Sequence, residues 1–304
     1  MFSRRTLALA GLFLAASTAV AAAQVITGPT LYRLDAAAEF DEGCQPPCLC
    51  PIQMTEDLFG TLVLKFSVAD PAGYVHYSID NVNWVLGKLG HERRVTGSGE
   101  YKVGGQFAIL QELTLDLSFD GAAPIHFDSG LIVGGGSFPA LDISVAENGF
   151  FCYDRVFRVA ATPVPASAIT PYNLGRTLYE EGCFPPCLCP LLRRRTAGSF
   201  KLIDLGPTSD PAQQHFALVD IDWHTRPAPA PPTQTFKGFG IYSIDINTAQ
   251  HRLVCDLTDG NGLTQRFDSA LVAGGAMFPP KIDIAIAVHG FYCYDQAFLM
   301  KAIP

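Results

Sequence analysis

The sequence predicts an all-β protein of two tandem homologous domains, each an antiparallel β-sandwich or meander barrel stapled by disulfides, after a cleaved signal peptide. Three observations predict it. Runs rich in Val, Ile, Phe and Tyr, such as YVHYSIDNVNW (74–84) and EYKVGGQFAILQELTLDLSF (100–119), alternate apolar with polar residues, as half-buried strands do. The stretch EGCQPPCLCP (42–51) returns with one change as EGCFPPCLCP (181–190). Other segments recur in the same order: HYSIDNVNW (76–84) as HFALVDIDW (215–223) at an offset of 139, FDSGLIVGGGSFP (127–139) as FDSALVAGGAMFP (267–279) at 140, and GFFCYD (149–154) as GFYCYD (290–295) at 141. A unit of about 135 residues is the size of a domain, not of a solenoid repeat.

In chain order, residues 1–23 read as a secretory signal: Arg4 and Arg5, an apolar run from Leu7, then Ala21 and Ala23 before Gln24. A Sec-type signal is expected, with twin-arginine export the alternative on SRRTLA. The run is shorter than the roughly 20 apolar residues of a membrane span. The expected location is therefore the periplasm or the extracellular space. Repeat 1 occupies 24–161, a Pro-rich linker 162–169 (TPVPASAI, with Ile169 the last), and repeat 2 170–304. Turn chemistry at Asp120-Gly121, Asn148-Gly149 and His289-Gly290 separates six to eight short strands per unit, and Asn148-Gly149 marks a hairpin. Periodicity fits both closures, and the sandwich is the leading expectation. The segments 85–98 and 224–239 have matching flanks but unrelated interiors. They are expected to be variable surface hairpins, with a partner-contacting role as the alternative.

Without the signal, 19 basic residues face 29 acidic ones, a net charge of −10. Such a surface repels phosphate backbones, so nucleic acid is not an expected partner. The expected partner is an extracellular or periplasmic ligand.

Each unit holds four matched cysteines: Cys44, Cys48, Cys50 and Cys152, then Cys183, Cys187, Cys189 and Cys293. In an exported chain an even, repeated set predicts two disulfides per unit. A Cys48–Cys50 bridge is disfavoured by geometry, which leaves one of the two for Cys44 and the other for Cys152. A cis Pro47 would form a type VI turn and draw Cys44 towards Cys48. The alternative is zinc or copper(I) held by Cys44, Cys48, Cys50 and His76, and by Cys183, Cys187, Cys189 and His215, although CxxxCxC is not a zinc-knuckle spacing. Cys255 is the odd cysteine. It stands where the first unit has Leu115, and is expected to be a buried free thiol rather than a nucleophile.

Aspartates recur as Asp116/Asp256, Asp128/Asp268, Asp142/Asp283 and Asp154/Asp295, and Asn81 and Asn83 answer Asp220 and Asp222. Caps of turns and solvent-facing strand positions are the simplest roles. Calcium at a sheet end is an alternative that lacks the DxDxDG spacing. Paired acids could also serve a hydrolase. Trp84 and Trp223 are expected to plug the core rather than present sugar platforms. GxSxG, HExxH, P-loop and helix-opening GxGxxG signatures are missing, so no catalytic residue and no cofactor is expected. The reading is a binding or structural module, with a secreted hydrolase and a copper or zinc protein as alternatives.

Overall fold

The computed structural model describes residues 26–48, 53–208, 210–226, 234–274 and 281–304. The expected signal peptide, Cys50, the Pro-Ala run and residues 275–280 of the second glycine-rich segment lie outside the described residues. The chain is all-β, built as two ten-stranded antiparallel sheets. The first contains β1 (Thr30–Leu34), β2 (Glu39–Gln45), β3 (Gln53–Ala69), β4 (Tyr74–Leu86), β5 (Arg93–Gly104), β6 (Leu110–Phe119), β7 (Ile125–Asp128), β8 (Ile132–Val133), β9 (Leu141–Ala146) and β10 (Cys152–Pro163). The second contains β11 (Ile169–Leu174), β12 (Thr177–Phe184), β13 (Leu191–Pro207), β14 (Gln213–Thr225), β15 (Thr235–Asp245), β16 (Gln250–Asp259), β17 (Thr264–Asp268), β18 (Val272–Ala273), β19 (Ile282–Ala287) and β20 (Cys293–Ile303).

Each sheet closes on itself. In the first, β2 to β7 pair in succession, β7 touches β9 through Asp128 and Ala146, β9 pairs β10, and β10 returns to β2. The second repeats the ring from β12 to β20. The closure is thus a meander barrel, and the expectation of a sandwich is corrected. A sandwich needs two sheets with free edges, whereas each of the eight strands in either ring pairs with a neighbour on both sides. The strands are also longer than expected: β3 and β13 run 17 residues each and bend at register shifts.

Eight strands leave an interior that side chains can fill. Trp84, Phe40, Phe127, Phe157, Tyr77 and Tyr101 fill the first barrel, and Trp223, Tyr179, Tyr242, Phe267 and Phe298 the second. Both tryptophans are buried core residues. Phe138, from the glycine-rich segment, closes one end of the first barrel with its ring 5.2 Å from Tyr77 and 5.9 Å from Tyr101. Asn81 and Asp220 adopt left-handed backbone conformations where β4 and β14 shift register. Asn and Asp tolerate that region better than other side chains, so these recurring residues mark bulges.

The disulfides stay within units: Cys48–Cys152 in the first, Cys183–Cys189 and Cys187–Cys293 in the second. Cys44 is also disulfide-bonded. Pro46-Pro47 and Pro185-Pro186 are cis, and Cys48 and Cys187 donate their backbone N–H across the turn to Gln45 and Phe184. The turn does not join Cys44 to Cys48, since Cys48 crosses to Cys152 on the last strand of the barrel. Closing a loop of 104 residues contributes about 4–5 kcal/mol in the chain-entropy model. The connection between barrels is shorter than the expected linker, because Thr162 and Pro163 pair with Arg33 and Tyr32 and Ile169 opens β11.

Candidate functional site

Period two sends alternate side chains of every strand into the barrel and the rest onto its outer wall. On most strands the outer set is solvated. On parts of β3, β4, β14 and β15 it is not: Leu58–Leu62, Trp84–Leu86, His215–Leu218 and Phe239–Ile244 are continuously buried. These walls face each other. Phe59 and Val85 from the first barrel pack with Ile203, Leu205, Ala217, Phe239 and Ile241 from the second. The Phe59 ring stacks on His215 with centroids 3.9 Å apart, and Arg33 donates to the Asp204 carbonyl at 2.7 Å.

Charged residues cross the same face. Arg252 on β16 donates two hydrogen bonds to Asp268, at 3.0 and 2.6 Å, and a third to Glu92 of the first barrel. Arg266 on β17 donates to Asp256 at 2.9 Å and reaches Asp120 of the first barrel at 3.5 Å. Arg94, opposite Val85 on β5, has a 5% exposed side chain. Its Nη2 lies 3.1 Å from Asp256 Oδ2, and its guanidinium sits over the Phe239 ring at 4.7 Å. That approach to Asp256 is off the hydrogen-bonding direction, so Nε, Nη1 and Nη2 all lack a hydrogen-bond partner among the described residues. Burial pulls the Arg94 pKa down, and Asp256 opposes the shift. Burial also pushes the Asp268 carboxyl up, but the Arg252 hydrogen bond, the Ala270 N–H and the charges of Arg252 and Arg266 together outweigh it and hold the carboxyl below the usual range.

Among the hollows at this face, two carry charged or hydrogen-bonding linings of note. A cavity of about 80 Å³ is lined by the three guanidiniums of Arg94, Arg252 and Arg266, by Glu92, Asp268 and Ser243, and by apolar Val85, Ile241 and Val254. A groove of about 710 Å³ is lined from both barrels, with Thr61, Asn83, Lys201, Asp220, Lys237 and Asp256 among its polar groups and Leu31, Val63, Val219 and Phe239 among its apolar ones.

Of the cysteine and histidine candidates among the described residues, only His215 stands at this face. Cys48, Cys183, Cys187 and Cys189 are spent in disulfides at the barrel ends. His76 Nε2 pairs with Asp70 at 3.0 Å, and His215 Nδ1 shares a hydrogen bond with Ser243 Oγ at 2.7 Å. Neither histidine joins its cysteine set, and no group of three metal-ligating side chains occurs among the described residues. Desolvation lowers the His215 pKa to about 4, so the ring is neutral at ordinary pH. Cys255 is a buried free thiol whose pKa desolvation drives up, which removes the thiolate a nucleophile needs.

The recurring aspartates divide into caps and ion pairs. Asp154 accepts from the backbone N–H groups of Asn148, Phe150 and Arg155 at 2.7–2.9 Å, and Asp295 from those of His289, Phe291 and Gln296 at 2.7–2.9 Å. Both are 1% exposed. Asp256 and Asp268 instead serve the inter-barrel network.

Period-two reading missed the facing walls, though a signal was present. DLFGTLVLKF and FKGFGIYSI hold apolar residues on both faces of a strand, as strands covered on two sides do. The variable segment 85–98 proved to be a contact: Glu92 pairs with Arg252, and the Leu89 N–H donates to Gln213. Comparison with protein-family models, curated proteins and solved structures finds no match to this chain. Its three described disulfides fit an extracellular or periplasmic protein, and no helix among the described residues is long and apolar enough to cross a membrane.

Proposed function

We propose that the chain is an exported, tandemly duplicated binding module that takes a small polar ligand in the groove between its barrels. The groove itself carries this reading. Its volume falls within the few hundred to about 1,000 Å³ usual for ligand sites, it lies at a domain junction, and it sets scattered hydrogen-bonding groups over an apolar floor. The filled barrel interiors support it by leaving the binding surface outside. Export by a Sec-type signal at 1–23 and descent of both units from one ancestor belong to the same proposal, and rest on the signal pattern and the ordered sequence matches.

The hydrolase alternative has less support. Asp268 at the junction is held below the usual carboxylate range, away from the protonated form a general acid requires, and Asp256 and Glu92 are engaged in ion pairs with arginines. The copper or zinc alternative would need thiolates that the structure has in disulfides.

The test uses the intact mature protein and a panel of disaccharides and dipeptides, read by amide chemical shifts. Panel members that bind should move resonances of Asn83, Lys201 and Lys237, and Thr96→Trp, which fills the groove, should abolish those shifts. Binding that maps away from the groove, or persists in Thr96→Trp, overturns the reading.

A further inference from the structure

The small cavity behind Arg94 shares no lining residue with the groove, and it has a chemistry of its own. Its volume of about 80 Å³ exceeds severalfold the roughly 10–15 Å³ that admits one water on the same measure. Arg94 lines it with a side chain only 5% exposed, and none of its three guanidinium nitrogens has a hydrogen-bonded acceptor among the described residues. Buried cationic donors left unmade are costly, so this fork calls for an acceptor.

The rest of the lining limits what that acceptor can be. Three guanidiniums and two carboxylates line the cavity, and from outside the lining Asp256 pairs with Arg94 and Arg266 and Asp120 with Arg266, so the cluster sets three cations against four carboxylates. Net charge therefore opposes a polyanion, and what invites an acceptor is the open hydrogen-bonding direction of the Arg94 fork. A planar guanidinium matches a two-oxygen anion better than a spherical halide. Val85, Ile241 and Val254 supply an apolar wall with no use for a fully polar ion. Arg266 and Asp268, at 42% and 33% side-chain exposure, mark the side nearest solvent.

We propose that this cavity is a binding site for a short-chain monocarboxylate of acetate size, its carboxylate on Arg94 and its alkyl end against Val85, Ile241 and Val254. Val85, Glu92 and Arg94 belong to the first barrel and the other lining residues to the second, so the bound anion fastens one barrel to the other. The site goes beyond the groove reading and stands or falls independently of it.

The test compares thermal melts of the intact mature protein in sodium acetate and in sodium gluconate, a carboxylate too large for the cavity, at equal ionic strength and neutral pH. Tm should rise with acetate, by about 3 °C at a concentration roughly tenfold above Kd, and should not rise with gluconate. Arg94→Gln should erase the difference. Val254→Phe, which fills the apolar wall and leaves Arg94 in place, should erase it as well. Native crystals grown in acetate should show a carboxylate on Arg94, a readout that needs no variant. Equal melts in the two salts, an acetate effect that survives both variants, or water alone on Arg94 in those crystals overturns the proposal.

Discussion

Asp116 and Asp256 occupy matched places on β6 and β16, and their surroundings differ completely. Asp116 bonds His126 Nδ1 at 2.9 Å with both side chains more than 60% exposed, whereas Asp256 pairs with Arg266 and stands beside buried Arg94 of the other barrel. The same contrast separates His76, partly exposed beside Asp70, from His215, buried between Phe59 and Ser243. The barrels keep their interiors and turn caps alike but present different walls: the first offers β3 and β4 with the start of β5, the second β13 to β17. The contact uses β16 and β17 of the second barrel but not the matching strands β6 and β7 of the first, and those strands keep ordinary surface pairs. The first barrel also exposes apolar Phe107, Ile109 and Val133 near its β5–β6 turn.

The largest expected effect tests the unequal walls. Arg252→Met strands Glu92, whose side chain is 10% exposed, together with Asp268, and should cost about 3–5 kcal/mol in urea melts. Arg158→Met, at the exposed Arg158–Asp142 pair of the first barrel, should cost less than about 1 kcal/mol. Similar costs at the two places would erase the distinction.

The caps test the equal parts. Asp154→Ala and Asp295→Ala each remove a buried carboxylate that accepts three backbone N–H groups, and each should cost about 3 kcal/mol, alike in either barrel. A gap of more than about 1 kcal/mol between the two in denaturant titrations would show that the caps differ in weight.

Acid sharpens the histidine contrast. His215 has a folded pKa of about 4 against about 6.5 in the unfolded chain, so the unfolded state takes up the proton first as pH falls. Its contribution is fully present above about pH 6.5 and is lost progressively towards pH 4, by at most about 3 kcal/mol. His251, whose pKa burial also lowers, acts in the same direction. Melts across this window should show His215→Phe flattening the loss. An unchanged loss in that variant would place the acid sensitivity outside the junction.

The smallest effect concerns the interiors. Cys255 lies against Gly240 much as Leu115 lies against Gly99: a Cβ on either glycine would come within 2.7 Å of Sγ or 2.9 Å of Leu115 Cδ2. Cys255→Leu should therefore cost only about 1–2 kcal/mol, and the native thiol should stay inert to a thiol reagent until the protein unfolds. Rapid labelling of folded protein would contradict its burial.

Composition, alternation and the two CxxxCxC segments were enough to read the all-β class, the Asn148-Gly149 hairpin, the confinement of the described disulfides to their own units and the burial of Cys255. Each of these follows from local spacing or from chemistry shared by the two units, which one chain displays twice. The choice between sandwich and barrel was not legible, because alternation states which face of a strand is covered and not which strand closes the ring. The junction was illegible for a related reason. Glu92 and Arg252 are 160 residues apart, and nothing local distinguishes an arginine in water from one held against another barrel. The sequence by itself determined two disulfide-bonded β units. Only the tertiary structure decided which walls meet, and so where Arg94 was buried beside Asp256 with no hydrogen-bonded acceptor among the described residues, because a docking geometry depends on the shapes of two finished surfaces and is written in neither one alone.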